Sequence, residues 1–528
     1  MRSTTRLPDD VKAFTEYLRR AGYHCSNQQK TDYNFATPRE AWDESGPRAH
    51  WRKRAPGQPF FSVFNLLVTH QSMIFAPAAT HEKQLARVTP AQRHDPAKVT
   101  VPPIHPDTPE FRRDWARHFD NVTAMDDQVG DLLAELAADG LAGDTIVFFF
   151  SDHGTGMPAI EMFVWDASRR VPLLVRFPEK WQHLAPAAPG ATTDRLVSFV
   201  DFAPTMLALC GVERPAHFQG VPFLGSSGST PRTVVFGGRD RMIERSDLVR
   251  YVHDGRFHYL RNFRPELPWG QSISYVQQID SMRAWQRLHE AGALTGPPAR
   301  FFETKPVEEL YDVTADPWET RNLAADPRHR ETLARLRDEC RAQMRRAGDL
   351  GFLPERELHA RAAGSTPCVI ATDPTLNPLD ELLRAADLAN ARDPKNLPPL
   401  TALLAHRDSA VRWWATLGLG ALKQHAQPAA AELRRALGDD SPDVRLAAAE
   451  ALAHLDHLPE ALPIIEAALR HDSVFIRLAA LNVADRLGPQ ARPLLPAIRQ
   501  ARLAAPGHRD ASDYVARMVD SLPGRIGG

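Results

Sequence analysis

The C-terminal part of this chain repeats a short pattern at a fixed spacing, and this repetition restricts the region to an all-helical architecture. An Asp-Ser pair begins at Asp408, at Asp440 and at Asp472, so the starts lie 32 residues apart twice. Each pair leads to Val or Ile, then to an arginine and an Ala- and Leu-rich stretch. The equivalent arginines are Arg412, Arg445 and Arg477. One such unit cannot bury its apolar face alone, so we expect paired helices to stack on each other.

This pattern resembles HEAT-like repeats and implies an all-α solenoid over residues 377–522. A solenoid offers an extended surface, so a protein partner is one ligand that we expect this region could bind. The whole chain has 64 Lys and Arg against 65 Asp and Glu, so its formal net charge is −1. That balance predicts no nucleic-acid partner. No apolar run is long enough to cross a bilayer, so no transmembrane segment is expected.

The N-terminal part alternates helical patterns with short apolar runs. Residues 9–21 and 115–138 have helical periodicity, whereas residues 60–69, 145–150 and 172–177 are continuously apolar. Such runs are typical of strands buried on both faces of a sheet. We therefore predict an α/β fold whose mixed sheet is mainly parallel and flanked by helices.

The middle of the chain predicts a smaller, antiparallel unit. Residues 232–263 hold short alternating stretches on either side of Asp254-Gly255, which is a strong hairpin signal. We divide the chain into an α/β core at 1–230, an antiparallel subdomain at 231–350 and a linker at 351–376, followed by the helical repeats.

Polar residues follow the predicted strands, where open α/β sheets place their ligands. Asp152 and His153 lie in the sequence Ser-Asp-His-Gly after one apolar run. A carboxylate beside a polar side chain suits a hard cation such as Ca²⁺. The alternative is a structural turn or a helix N-cap.

There are two further candidates. His70 comes after the run 60–69 and could donate a hydrogen bond to an anion or protonate a leaving group; it could also be a capped loop histidine. Lys30, in Asn-Gln-Gln-Lys-Thr-Asp, could neutralise an oxyanion, or it could be a solvated surface lysine.

Several segments, taken in their order, resemble the sulfatase family of the alkaline-phosphatase-like superfamily. They are LPDDVKAFTEYLRRAGYHCSNQQKTDYNF, FFSVFNLLVTHQS, TIVFFFSDHGTGMP, VPLLVRFP, FVDFAPTMLALCGVERP and LYDVTADPWETRNLA. The similarity covers about residues 7–350, and within the family it resembles bacterial heparan N-sulfatase-like proteins.

This resemblance implies roles for the candidate residues. Asp152 and His153 would be Ca²⁺ ligands, Lys30 would contact the sulfate, and His70 would contact the sulfate or the leaving oxygen. The family hydrolyses sulfate esters or sulfamates, often on sulfated saccharides, with a formylglycine made from Cys or Ser. In FGGRDRM, Arg239 or Arg241 would recognise substrate, and structural pairing is the alternative.

The chain departs from the family pattern in two ways. None of its four cysteines stands in the family's Cys/Ser-x-Pro/Ala-x-Arg motif, its serines are no better placed, and no acidic pair follows a first apolar strand. We expect both to lie upstream of Met1, so that this chain alone is inactive. A signal peptide in that stretch would make the protein periplasmic or extracellular, and otherwise it would be cytoplasmic. In addition, Glu161 stands where a basic residue is expected, so either Arg169 or Arg170 substitutes for it or the site has lost affinity for sulfate.

Two other functions stay open at this point. One is a phosphoryl or phosphonate hydrolase of the same superfamily, which would share the metal-binding strand. The other is a non-catalytic sulfatase-like scaffold that binds partners through the HEAT-like repeats, a role that Glu161 favours.

Overall fold

The computed structural model describes residues 5–225, 231–505 and 508–527. Its strands lie in the N-terminal and middle parts of the chain, and the region after residue 320 is helical. The strands are β1 (His24–Gln28), β2 (Glu44–Ser45), β3 (Phe60–Phe64), β4 (Val147–Phe150), β5 (Leu173–Arg176), β6 (Val235–Arg239), β7 (Val249–His253), β8 (Phe257–Asn262) and β9 (Glu308–Asp312).

The α-helices alternate with these strands and then continue alone. They are α1 (Phe14–Arg20), α2 (Ala78–Gln84), α3 (Pro109–Ala138), α4 (Asp166–Arg169), α5 (Phe202–Leu209), α6 (Asp280–Glu290), α7 (Pro297–Arg300), α8 (Arg330–Ala347), α9 (Glu355–Arg361), α10 (Pro367–Thr372), α11 (Leu379–Asn390), α12 (Leu397–Leu403), α13 (Ser409–Ala421), α14 (Ala430–Ala436), α15 (Pro442–His454), α16 (Leu458–Leu469), α17 (Val474–Leu487), α18 (Leu495–Gln500) and α19 (Arg509–Arg525). The segment 351–376 thus contains the two short helices α9 and α10.

The α/β part contains a parallel sheet and a separate antiparallel pair. In the first sheet β1 lies between β2 and β3 and is parallel to both, with His24 opposite Phe60 and Ser26 opposite Glu44. Strand β4 pairs with β5 in the antiparallel sense. The mixed, mainly parallel α/β arrangement is therefore confirmed, although within the described ranges it is divided into two sheets.

The expectation that the apolar runs are buried on both faces was wrong. Strand β3 ends at Phe64, and all five of its residues are only half-buried. Phe150 at the end of β4 is 41% exposed, and Leu174 on β5 is 59% exposed. The physical reason is that, in the described part of the chain, β3 pairs only with β1 and β4 only with β5. Strands β3 and β4 are therefore edge strands, and apolar side chains lie beside their open edges.

The middle of the chain forms the predicted antiparallel sheet. Strands β6, β7, β8 and β9 follow one another in order, and each pairs with the next. The Asp254-Gly255 hairpin is confirmed: the Asp254 N–H donates to the Phe257 carbonyl at 3.1 Å, and Gly255 has a φ of 98°, which favours glycine. One face of this sheet packs on the core helices, and the other supports the site loops described below.

The predicted repeats form a two-layered helical solenoid. Helices α11, α13, α15, α17 and α19 contact one another in sequence, and α12, α14, α16 and α18 form the second layer. The equivalent arginines make equivalent bonds, because each donates to the carbonyl six residues earlier. These bonds join Arg412 to His406, Arg445 to Asp439 and Arg477 to His471. The repeated arginine therefore closes the turn that leads into each repeat helix.

In the described ranges no helix is both long and apolar enough to cross a membrane.

Candidate active site

Three strands end at one edge of the α/β part, and a predicted site residue follows each of them. Lys30 lies two residues after β1, His70 follows the short turn after β3, and Asp152 and His153 lie two and three residues after β4. The charges of Lys30, His153 and Asp152 all act on His70, so the four side chains lie near one another. The tertiary structure thus gathers residues up to 123 positions apart into one cluster.

Two loops of the cluster are held together by a close backbone contact. A Cβ added at Gly156 would lie 2.7 Å from the Gln71 Cα, so only glycine fits there. The Gln71 side-chain amide donates to the Gly156 carbonyl at 2.7 Å. This contact fixes the loop after β4 against the turn that carries His70.

Helix α3 supports the same turn from behind. Its N-cap is Thr108, whose hydroxyl accepts the Phe111 N–H at 3.3 Å, and Pro109 is its first residue. From this helix the Arg117 guanidinium donates to the carbonyls of Ile74 at 2.9 Å and Ala76 at 2.6 Å. The residues after His70 are therefore anchored to a 30-residue helix.

His70 is oriented by a local hydrogen bond. Its Nδ1 accepts the Ser72 N–H at 3.2 Å and lies 2.8 Å from the Ser72 hydroxyl. An Nδ1 that accepts a backbone N–H leaves the ring proton on Nε2 in the neutral form. Burial lowers the pKa of His70, and the nearby positive charges of Lys30 and His153 lower it further. A neutral imidazole can therefore donate from Nε2 to an anion.

Lys30 is a partly exposed cation at the rim of the cluster. Its Nζ lies 3.5 Å from the Asp32 carboxylate, and its side chain is 30% exposed. Its backbone carbonyl accepts the Asn27 side-chain amide at 3.1 Å, which ties it to the end of β1. A lysine held in this way has room to approach an anionic ligand.

Asp152 and His153 provide two adjacent donor atoms. The His153 Nδ1 lies 2.8 Å from the Gly154 carbonyl oxygen, an acceptor only, so Nδ1 carries the proton and Nε2 is free to accept. This Nε2 lies 3.8 Å from the Asp152 Oδ2, and that carboxylate is well exposed. Both atoms are suitable ligands for a divalent cation. Within the described ranges, however, no group of three or more His, Cys, Asp or Glu residues could hold a metal, so the two donors form an incomplete site.

Glu161 is part of the cluster and nearly buried. Its Oε1 lies 3.6 Å from the His153 Nε2, and its side chain is 13% exposed. Burial raises the pKa of this carboxyl, and the charge of Asp152 adds to the effect, whereas His153 and Lys30 oppose it. Its Oε2 is buried without a hydrogen-bond partner. The carboxyl therefore stands beside the predicted cation ligands in a poorly solvated position.

Neither arginine proposed as a substitute for the missing basic residue contacts the cluster in the part of the chain that the structure describes. The Arg169 guanidinium pairs with Asp166 at 3.1 Å and stacks on the Tyr251 ring at 5.1 Å. Arg170 is 75% exposed and lies 3.9 Å from the same Asp166 carboxylate. Both are therefore engaged on the side of the antiparallel sheet.

Arg239 and Arg241 have buried structural partners. The Arg239 guanidinium is 1% exposed, pairs with Asp247 and donates to the Met162 carbonyl at 2.8 Å. Arg241 is 4% exposed and makes a two-pronged ion pair with Glu355 at 2.6 and 2.8 Å. This geometry favours the structural alternative for both residues.

Tyr275 is a member of the site that sequence reasoning missed. Its hydroxyl hydrogen-bonds the Ser72 side chain, and its ring contacts Phe75 edge-on at 5.5 Å. Burial raises the pKa of Tyr275, and the nearby carboxylate of Glu161 raises it further. It lies 203 positions from Ser72 in an irregular loop, so no local pattern in the sequence could have indicated it.

Comparison with known proteins agrees with this architecture. The Sulfatase family model matches residues 4–212, and the HEAT repeats model matches residues 422–485. An ulvan-active sulfatase of Formosa agariphila is 37% identical over 398 residues, which cover 70% of this chain and 66% of that protein. Human N-sulphoglucosamine sulphohydrolase is 31% identical over 261 residues, which cover 47% of this chain and 51% of the human protein.

The chain thus spans about two thirds of the first of these relatives and half of the second. A solved 2-O GAG sulfatase superposes with a TM-score of 0.44 at 18% identity, over 65% of this chain and 76% of that chain. The family match, the ordered motifs and the cluster at the strand ends lead to one conclusion: this chain belongs to the sulfatase family and carries HEAT repeats in its C-terminal region.

Proposed function

We propose that the protein hydrolyses sulfate esters or sulfamates on sulfated saccharides. The observation that carries this proposal is the convergence of Lys30, His70, Asp152 and His153 at neighbouring strand ends. A cation, a neutral imidazole and a pair of metal-ligand atoms together suit an anionic substrate whose leaving group needs a proton. The names of the two relatives, one active on ulvan and one on N-sulphoglucosamine, support a saccharide substrate.

Each side chain has a role that follows from its geometry. The Lys30 ammonium neutralises sulfate oxygens at the rim of the site. The Nε2–H of His70 donates to a sulfate oxygen or to the leaving oxygen, because Nδ1 is occupied by Ser72. Asp152 and His153 would hold one side of a Ca²⁺ ion, which when bound would stabilise the negative charge on the sulfate. Glu161 lies beside them, with its Oε1 3.6 Å from the His153 Nε2.

The proposal includes a formylglycine and further metal ligands from a segment upstream of Met1. Three observations support it: no cysteine stands in the nucleophile motif and the matching serine, Ser521, lies in the last solenoid helix and follows no strand; the chain spans only about two thirds of the ulvan-active relative; and apolar side chains border the open sheet edges. Phe150 on β4 contacts Phe199 and Phe202. Phe150 is 41% exposed and Phe199 is 46% exposed. An additional strand beside β4 would cover this surface and place its own carboxyl end next to Asp152.

The test uses the protein produced from its complete reading frame. Released inorganic sulfate is measured by ion chromatography with a sulfated glucosamine as substrate. We expect Lys30→Ala and His70→Ala each to lower kcat/KM by about 10²–10⁴-fold, the range typical of charge stabilisation and general acid catalysis. Lys395→Ala, at an exposed position in the solenoid, is the matched control and should keep full activity.

A second candidate, a binding protein without turnover, is favoured by Glu161 alone, because a carboxylate repels sulfate. If the complete protein binds the saccharide but releases no sulfate, and Lys30→Ala abolishes binding, this second function replaces the first. Mass spectrometry of the native chain decides the matter independently: peptides that precede Met1 and contain Cys/Ser-x-Pro/Ala-x-Arg support hydrolysis.

A further inference from the structure

The loop that carries Tyr275 is held on both sides, by the antiparallel sheet region and by the solenoid. The Ser272 carbonyl accepts the Arg245 Nε at 2.6 Å, and the Ser274 N–H donates to Glu244. Arg245 itself pairs with Asp485 of α17 at 2.7 Å and donates to Asn482 at 3.0 Å. The position of this loop therefore depends on the solenoid.

The last helix of the solenoid lies along the same loop. From α19, the Arg525 guanidinium reaches the Ser272 hydroxyl at 3.4 Å. Arg517, Ser521 and Arg525 are spaced four residues apart and thus occupy one face of this helix. The face that contacts Ser272 therefore also carries Arg517, about two turns earlier in the helix.

Arg517 is a half-buried guanidinium beside the site. Its Cζ lies 5.6 Å from the centre of the Tyr514 ring, and Tyr275 lies within electrostatic range of both Arg517 and Glu161. It has no ion pair with any described residue, whereas Arg525 on the same face pairs with Asp485. A cation positioned by an aromatic ring and not paired with a carboxylate is available to an anionic ligand.

We propose that α19 forms one wall of the substrate cleft and that Arg517 binds a second anionic group of a polysulfated or carboxylated saccharide. This inference rests on the proposed function for the nature of the ligand. Arg517 thereby supplies, from the solenoid, a positive charge on the side of the site where Glu161 places a carboxyl. The HEAT-like region thus determines substrate specificity, and a saccharide with two charged groups is preferred to one with a single sulfate.

The experiment measures binding by calorimetry, so that it does not depend on turnover. The probes are glucosamine 2-N,6-O-disulfate and glucosamine 2-N-sulfate. We expect Arg517→Gln to weaken binding of the disulfate about tenfold or more, as for loss of one charge-assisted contact, and binding of the monosulfate less than twofold. Arg517→Lys should keep most of the affinity, because it keeps the charge. Arg435→Gln, an exposed solenoid arginine paired with Glu432, should change neither.

Three results would overturn the proposal: equal affinities of Arg517→Gln and the parent protein for the disulfate, equal losses for both probes, or no binding by the parent protein. Thermal melting shows that each variant is folded. The two hypotheses fail separately. A protein that discriminates between the probes through Arg517 but never releases sulfate contradicts only the proposed hydrolysis. One that releases sulfate with unchanged KM in Arg517→Gln contradicts only the role of Arg517.

Discussion

The Nε2 of His153 lies 3.6 Å from the Oε1 of Glu161, so a nearly buried carboxyl stands against a predicted cation ligand. A carboxyl at this place is unexpected in a site for an anionic substrate, because two negative charges repel each other. Burial raises the pKa of Glu161, and the charge of His153 opposes this effect.

Replacement of Glu161 tests whether this carboxyl opposes the ligand. We expect Glu161→Gln to tighten binding of a sulfated glucosamine about tenfold, which corresponds to about 1.4 kcal/mol. The reason is that glutamine has nearly the shape of glutamate but carries no negative charge. Titration calorimetry measures the effect, and Glu466→Gln in α16 is the control for loss of a carboxylate elsewhere. Weaker binding by Glu161→Gln would mean that the carboxyl helps to hold the ligand or its cation.

The buried imidazole of His105 predicts acid sensitivity. Its Nε2 donates to the Pro158 carbonyl at 2.7 Å, and burial lowers the pKa of His105 from 6.5 to about 4. Between these values the unfolded chain binds the proton and the folded chain does not, so stability falls as the pH decreases through this window. Above about pH 6.5 both forms are neutral and the contribution vanishes.

We therefore expect His105→Gln to flatten this dependence by about 1.4 kcal/mol per pH unit between pH 6 and 4.5. Urea unfolding at several pH values gives the slope, and His425→Gln, at an exposed position, should leave it unchanged. An identical slope in His105→Gln and the parent protein would show that His105 is protonated in the folded state.

The buried pairs of Asp247 predict a large loss of stability. This carboxylate accepts hydrogen bonds from the Lys305 ammonium at 2.8 Å and also from the Arg239 guanidinium. All three side chains are almost fully buried. Asp247→Asn would leave two buried cations without a counter-charge, so we expect it to lower the free energy of unfolding by about 3–5 kcal/mol. Lys305→Met, which removes one cation and keeps the packing on Trp269, should cost less. Denaturant unfolding measures the free energy of unfolding of both variants. Equal losses of free energy in Asp247→Asn and Lys305→Met would contradict this prediction.

The ion pair between Arg412 and Asp439 links two successive repeats. Its two bonds, of 2.7 and 2.8 Å, join α13 to the turn before α15, and both side chains are largely buried. We expect Arg412→Ala to cost about 1.5–3 kcal/mol, the range for hydrogen bonds to charged groups. The exposed pair of Arg435 with Glu432 is the matched control, and its removal should cost less than about 1 kcal/mol. Thermal unfolding of the full chain measures the stability lost in each variant. Similar losses would show that the pair between repeats stabilises the protein no more than the exposed pair does.

The sequence alone determined the local features of this protein. The 32-residue repeat predicted the solenoid, because stacked helices need the same apolar and capping residues in every unit. Asp254-Gly255 predicted the hairpin, since a left-handed turn requires glycine. The positions of His70, Asp152 and His153 after apolar runs predicted that they lie at strand ends, where open α/β sheets place their ligands, whereas Lys30 follows no predicted apolar run.

Only the tertiary structure decided burial and the contacts between distant segments. The sequence gives no sign that Arg239 and Arg241 are structural residues. Their partners, Asp247 and Glu355, come close to them only in the folded chain. The open edges of β3 and β4 contradict the apolar pattern, since that pattern shows what a strand can bury but not which neighbour covers it. Tyr275 and Arg517 reach the site from an irregular loop and from the last solenoid helix. Their place depends on long-range packing that no local periodicity records.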